Sequence, residues 1–216
     1  RMKGALVTGA GVRIGRALAM ALAADGYFVF VHHNRSADEA RETVKAIQAT
    51  GRKAKAVQAD LASARQAEAL IGKCRVPGVR LSVLVNNASL FKLDRAPTAT
   101  AADFDLHMAI NLRAPLLLSQ ALARQLPAGE KGLIVNLLDQ KLAHPNPDFF
   151  AYTLSKAALG TATTLMAQAY APRLRVNAIA PGITLPSADQ TEAEFHAAQA
   201  LAPLGYGATP DDLVAA

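Results

Sequence analysis

Short apolar runs alternate along the chain with stretches whose apolar residues recur every three or four positions. "GALVTGAG" is an apolar run closed by glycines, and "RIGRALAMALAADGY" after it has helical spacing. "YFVFVHH" reads as a strand buried on both faces, and "SADEARETVKAIQATG" as a helix with a serine N-cap candidate and a closing glycine. "KAVQAD" and "SARQAEALIGKC" repeat the unit, and "LSVLVNNA" is a fourth strand ending in polar residues. Helices are predicted near Ala102 to Asn111 and Pro115 to Leu126. A strand over "GLIVNLL", a long helix over "AYTLSKAALGTATTLMAQAY" and a strand over "LRVNAIAPG" follow. Strands alternating with helices predict one α/β domain over residues 1–216 with a single doubly wound parallel sheet. "HPNPD" and "APGITLPSADQ" are breaker-rich loops after the fifth and sixth strands, at the sheet end where such folds bind ligands. "TPDDLVAA" opens like a helix that stops abruptly, so the chain reads as C-terminally incomplete.

Composition narrows the class. The chain of 216 residues is 51% hydrophobic, which excludes disorder, and it is long enough to bury a core. A single cysteine, Cys74, leaves no internal disulfide or cysteine metal cluster and suits a reducing, cytoplasmic setting. No apolar stretch approaches the ~20 residues of a membrane helix. The net charge of +6 comes from scattered lysines and arginines without interleaved aromatics, which argues against nucleic acid and suits a polyanionic small ligand.

Two clusters carry candidate chemistry. The loop Gly9-Ala10-Gly11-Val12-Arg13-Ile14-Gly15 joins the first strand to the first helix, where backbone N–H groups can face a pyrophosphate. A bare strand-to-helix turn is the alternative. At the end of the second strand a free ribose diol calls for an acidic residue. The chain instead reads His32-His33-Asn34-Arg35-Ser36, and Arg35 and Ser36 suit a 2′-phosphate, pointing to NADP(H). Ser36 also fits a plain helix cap, and Arg35 a solvated loop residue. Asp60, in "QADL", suits either an adenine amino group or a helix cap, and Asn86-Asn87-Ala88-Ser89 suits either close cofactor approach or tight packing. Tyr152 and Lys156, four apart on the long helix, share a face, and a neighbouring ammonium favours a phenolate. Such a pair also arises by chance in long helices.

Taken together with "NNAS", Asn111 and "APG", these motifs resemble the short-chain dehydrogenase/reductase family over almost the whole chain. The resemblance implies a Rossmann domain with Tyr152 as proton donor, Lys156 on the nicotinamide ribose, and Asn111 holding a water or a helix kink in a proton relay. It implies cofactor contacts from Gly9, Arg13, Ile14, Asn34, Arg35, Ser36, Asp60, Leu61, Asn87, Ala88, Tyr152, Lys156, Pro181 and Gly182. Substrate contacts are implied for Arg13, Ser89, Phe91, Asp139 and Tyr152, with a small-molecule substrate, no metal, no membrane partner and a homo-oligomer, a tetramer in much of the family. The family's further helix and last strand with an Asp-Gly-Gly turn do not follow here.

Two departures from the family pattern are informative: Arg13 replaces a loop glycine, and Asp139 stands thirteen residues before Tyr152 where serine is usual. Both, with "HHNRSA", resemble the pteridine reductase and dihydromonapterin reductase branch. Phe91 matches that branch's pterin-stacking aromatic; a buried loop anchor is the alternative. Reducing a ring C=N needs a proton delivered toward nitrogen, which a carboxyl group can supply or relay. Asp139 therefore favours an NADPH-dependent reductase of a pteridine-like substrate. A general carbonyl or 3-oxoacyl-thioester reductase with a neutral change at Asp139, and a non-catalytic NADP-binding redox sensor, are the competing readings.

Overall fold

The six apolar runs become six parallel strands, and both faces of the sheet they form are covered. The computed structural model describes residues 1–186 and 190–216; residues 187–189 of the loop expected over Ala180 to Gln190 lie outside them. The strands are β1 (Met2–Val7), β2 (Phe28–His33), β3 (Ala54–Gln58), β4 (Val79–Asn86), β5 (Gly132–Leu137) and β6 (Leu174–Ile179). The helices are α1 (Arg13–Ala24), α2 (Ala37–Ala49), α3 (Ala64–Lys73), α4 (Ala101–Met108), α5 (Ala114–Gln125), α6 (Phe150–Tyr170), α7 (Glu192–Ala200) and α8 (Pro210–Ala215).

Strand order is β3-β2-β1-β4-β5-β6, every pair parallel. Alternate residues of the central strands feed two cores, which is why those strands read as largely apolar runs, while the edge strands β3 and β6 keep exposed positions between their buried ones. Leu6, Phe30, Leu84 and Ile134 pack with Leu70 of α3, Leu118 and Leu122 of α5 and Met166 of α6. On the other face Ala5, Val7, Val29, Val31 and Val85 pack with Leu18 and Ala19 of α1 and Ala40 and Ile47 of α2. Cys74, just past α3, is sealed in the first of these layers, and burial pushes its thiol up to about 12.

The order of winding reverses between β1 and β4, since β1 leads outward to β2 and β3 while the chain resumes on its other side. The connections leaving these two strands therefore pass to opposite sides of the sheet and leave a crevice at their carboxyl ends. Buried amides hold that end in register. Asn86 Nδ2 donates to Asn136 Oδ1 at 2.8 Å, and Asn136 Nδ2 donates to Thr163 Oγ1 of α6 at 2.8 Å.

Two helical details differ from the sequence-based expectation. The helices expected near Ala102 to Asn111 and from Pro115 are one continuous rod: α4 runs into a π-helical turn, Ala109–Arg113, and directly into α5. Pro115 lies just after the π-helical turn and does not break the rod. The second difference is α7, which follows the expected loop. Thr191 and Glu194 form a capping box at its start, a signal present in the sequence but easily lost among the breakers before it.

Candidate active site

At the carboxyl ends of the strands lies a cleft of about 1370 Å³. That exceeds the roughly 300–1,000 Å³ of a site for one drug-sized molecule. Of the sequence-predicted residues, Gly9, Arg13, Ile14, Asn34, Arg35, Ser36, Asp60, Leu61, Asn87, Ala88, Ser89, Phe91, Asp139, Tyr152, Lys156, Pro181 and Gly182 all line it. Asn111 lies behind its wall, fully buried.

One half of the cleft is built from the β1–α1 loop. Gly9 has φ +63°, a conformation glycine adopts without strain. Gly15 packs so closely that a Cβ there would meet the Gly9 carbonyl oxygen at 2.3 Å and Asn87 Nδ2 at 2.5 Å. Asn87 Nδ2 donates to the carbonyls of Thr8 at 2.8 Å and Gly9 at 3.2 Å, so the amide at the end of β4 ties down the loop after β1. Beneath the loop His32, 2% exposed, takes two consecutive loop donors: its carbonyl accepts the Ala10 N–H at 2.9 Å and its ring Nδ1 the Gly9 N–H at 3.1 Å. Val12, the N-cap of α1, offers no side-chain acceptor, so the first N–H groups of that helix remain for an anion.

At the end of β2, Arg35 and Ser36 are both exposed. Ser36 occupies the N-cap position of α2 but its hydroxyl makes no capping bond. Asp60 is partly engaged: Oδ1 accepts the Ala62 N–H at 3.0 Å and Asn34 Nδ2 at 3.4 Å, while Ser63 rather than Asp60 caps α3. The site has a glycine cradle that a Cβ would fill, an uncapped helix start and an arginine with a free-standing hydroxyl. This donor set fits an extended, phosphate-bearing ligand.

The other half is built from the ends of β4 and β5 and the start of α6. Tyr152 OH donates to Asp139 Oδ2 at 2.7 Å, and Asp139 Oδ1 accepts the Lys141 N–H at 2.8 Å. Lys156, buried, donates to the Leu137 carbonyl at 2.6 Å, and its Nζ lies 5.7 Å from the Tyr152 ring centroid. These positions correct the expectation that Lys156 draws Tyr152 toward the phenolate. Burial first, then the charge of Asp139 and the hydrogen bond to it, push the phenol well above its ordinary range. The ammonium is turned to a backbone carbonyl instead. Burial in turn lowers Lys156 to about 8, with Asp139 acting in the opposite direction.

Asn111 holds the geometry from behind. Its Oδ1 accepts the Leu90 N–H at 2.7 Å and the Ser89 hydroxyl at 3.3 Å, and its Nδ2 donates to the Leu90 carbonyl and to Ser155 Oγ, both at 3.0 Å. The π-helical turn carries this side chain.

Phe91 is 48% exposed, which removes the buried-anchor alternative. Its ring stacks on Phe149 at 4.0 Å and 12° and meets the Tyr152 ring edge-on at 4.8 Å and 84°. Phe149 escaped the sequence reading, as did Asp94, whose buried carboxylate accepts the Ala151 N–H at 3.2 Å and so caps α6 from another loop. Arg13 reaches across the cleft, donating to the carbonyls of Pro186 at 2.7 Å and Leu185 at 3.4 Å. Among the described residues the non-glycine positions with positive φ are Arg13, at 55°, and Phe149, at 57°. Both line the cleft, which is where backbone strain concentrates in functional sites.

The model of short chain dehydrogenases matches residues 3–197. The chain belongs to this family. It is 34% identical to a 3-oxoacyl-[acyl-carrier-protein] reductase of Synechocystis over 87% of this chain and 76% of that protein. Among solved structures, FolM alternative dihydrofolate reductase 1 from Brucella canis, complexed with NADP, is 40% identical with a TM-score of 0.94, covering all of this chain and 85% of that one. The angucycline C-6 ketoreductase LanV with bound NADP is 32% identical with a TM-score of 0.89, covering 99% and 86%. The single parallel sheet flanked by helices described above is consistent with these structural neighbours.

Proposed function

We propose that the protein is an NADPH-dependent reductase of a pteridine-like C=N bond. The observation that carries this reading is the 2.7 Å hydrogen bond from Tyr152 to Asp139 in the same cleft as Phe91. NADPH, when bound, supplies the hydride. Arg35 and Ser36 hold its 2′-phosphate, Ile14 and the open start of α1 its pyrophosphate, with Gly9 turning the chain beside it, and Lys156 with Pro181 and Gly182 its nicotinamide end. The absence of a carboxylate among residues 32–36 disfavours NADH.

Substrate carbon gains the hydride and the adjacent ring nitrogen gains a proton, leaving a C–N single bond. The Tyr152 phenol, held neutral by burial and by Asp139, is a donor throughout the neutral range. When a ring nitrogen enters, that proton passes from the Tyr152–Asp139 pair to the substrate, and the pair is reprotonated from solvent. Phe91 provides an aromatic face for a flat heterocycle, and Ser89 and Arg13 line the same cleft. The reading includes a cytoplasmic homo-oligomer, a tetramer by family resemblance, which sedimentation velocity would check.

The second reading, a carbonyl or 3-oxoacyl-thioester reductase, draws support from the 3-oxoacyl reductase and ketoreductase relatives. One experiment separates them: kcat/KM with NADPH for a dihydropterin, dihydrofolate and a simple ketone, in the parent and in Asp139→Ser. We expect dihydropterin reduction to exceed ketone reduction in the parent, and the ratio to collapse in the variant as ketone activity holds or rises. An unchanged ratio selects the carbonyl reductase.

A further inference from the structure

From the geometry beneath the β1–α1 loop we infer that His32, held as a neutral imidazole in one tautomer, is a positioning residue that sets the loop for cofactor binding. The inference rests on the reading of this cleft as an NADPH site.

The tautomer follows from the partners. Ring Nε2 lies 3.1 Å from the Ala59 carbonyl, an oxygen that only accepts, so Nε2 carries the hydrogen. Nδ1 is then a bare lone pair, and it receives the Gly9 N–H at 3.1 Å. One ring thus spans from the loop after β1, across β2, to the residue that follows β3. The His32 carbonyl adds the Ala10 N–H at 2.9 Å, so successive loop donors are both committed to one residue.

Two consequences follow for the ligand. With Gly9 and Ala10 turned down into the protein, their N–H groups face away from the cleft, and the pyrophosphate must be met by the uncapped start of α1. The same pull holds Gly9 at its positive φ, the conformation that turns the chain into that helix. Protonation at Nδ1 would place two donors against each other. Burial lowers His32 to about 4, helped by neighbouring His33 and Lys73 and opposed by the bond to Ala59, so the ring stays neutral in the working range.

The test uses three variants of the full chain. His32→Asn keeps an acceptor near the position of Nδ1, His32→Gln keeps a donor within reach of Ala59, and His32→Leu keeps neither. We expect His32→Leu to weaken binding of NADPH and of NADH by the same factor, about tenfold or more for a stranded loop donor. His32→Asn should recover most of this, and His32→Gln little, with KM for cofactor moving far more than kcat. Equal loss for both cofactors separates this effect from a 2′-phosphate contact, which would touch NADPH alone. A spectroscopic readout is independent of cofactor. Nitrogen-15 shifts of the parent protein should show His32 as the Nε2–H tautomer, unprotonated at pH 6, with and without NADP. A protonated ring, an Nδ1–H tautomer, or equal recovery by Asn and Gln would overturn the assignment. A parent that binds no dinucleotide but shows the Nε2–H tautomer would refute the NADPH reading, and the role in cofactor binding with it, while leaving the tautomer in place.

Discussion

Lys156 is a lysine that the fold holds at about 8 rather than its ordinary 10.5, because burial disfavours the ammonium. The folded state therefore binds fewer protons than the unfolded chain between those values, and stability rises with pH across that window. The penalty is fully present below about pH 8 and is relieved as pH approaches 10.5. We expect the urea midpoint to climb from pH 7.5 toward pH 10 in the parent by more than in Lys156→Met, the difference between the two slopes reporting this residue alone. Tyr152→Phe acts on chemistry: it removes the donor to Asp139 and should lower turnover by about a hundredfold or more while cofactor titrations stay near the parent's. At Gly15 the expectation is steric. A methyl group would lie 2.3 Å from the Gly9 carbonyl oxygen, backbone that has nowhere to go. Gly15→Ala should abolish saturable NADPH binding, as followed by the fluorescence of NADPH itself or by calorimetry, even where circular dichroism shows the sheet intact.

Helix α6, which carries Tyr152 and Lys156, begins without help from its own segment, since Phe149 at the N-cap is left-handed and has no capping side chain. Asp94 supplies the missing acceptor to Ala151, its own carbonyl accepts the Phe150 N–H at 3.4 Å, and Arg95 Nε donates to Asp148 Oδ1 at 2.6 Å. The loop bearing Phe91 is thus tied to the turn before Tyr152. Asp94→Ala should cost about 1–2 kcal/mol in chemical denaturation, the scale of a lost cap, and lower kcat with little change in KM for NADPH. Asp94→Asn should recover part of both. Strands, helices and their order were legible in the sequence because the central strands are largely apolar runs, the edge strands β3 and β6 interleave buried with exposed positions, and each helix repeats at its own period. Tyr152, Lys156 and Asp139 stood out through the resemblance to the family's motifs rather than through spacing alone, and all three line one cleft. Asp94 and Phe149 were not legible: their roles exist only once two loops distant in sequence meet, and an aspartate or phenylalanine in a loop has no periodicity to betray it. The π-helical turn at Asn111 was hidden likewise, being one extra residue in an otherwise helical pattern. His32 read as a strand residue, and the direction of the Tyr152 shift was misjudged, because spacing along a helix does not say where an ammonium points.

For the whole molecule, the doubly wound topology brings residues from every strand end to one crevice, so the site depends on the global fold rather than on any single element. No described helix is long and apolar enough to cross a membrane. The cleft also shares its floor with the layer that contains α3, since Asp60 and Leu61 precede that helix and Leu61 packs into the same core as Cys74. The lone thiol is therefore a built-in reporter. Because it is both shielded and held as the unreactive protonated form, a maleimide can attach only when α3 lifts away. Native protein should resist labelling while denatured protein takes up one equivalent, and the labelling rate measures how often this layer breathes. Lifting α3 would disturb Asp60 and Leu61, so NADPH at 100 times its dissociation constant should slow the reaction by about a hundredfold if each opening expels the ligand. One mass-spectrometric time course, with and without cofactor, would then show whether the protein breathes locally or only by coming apart.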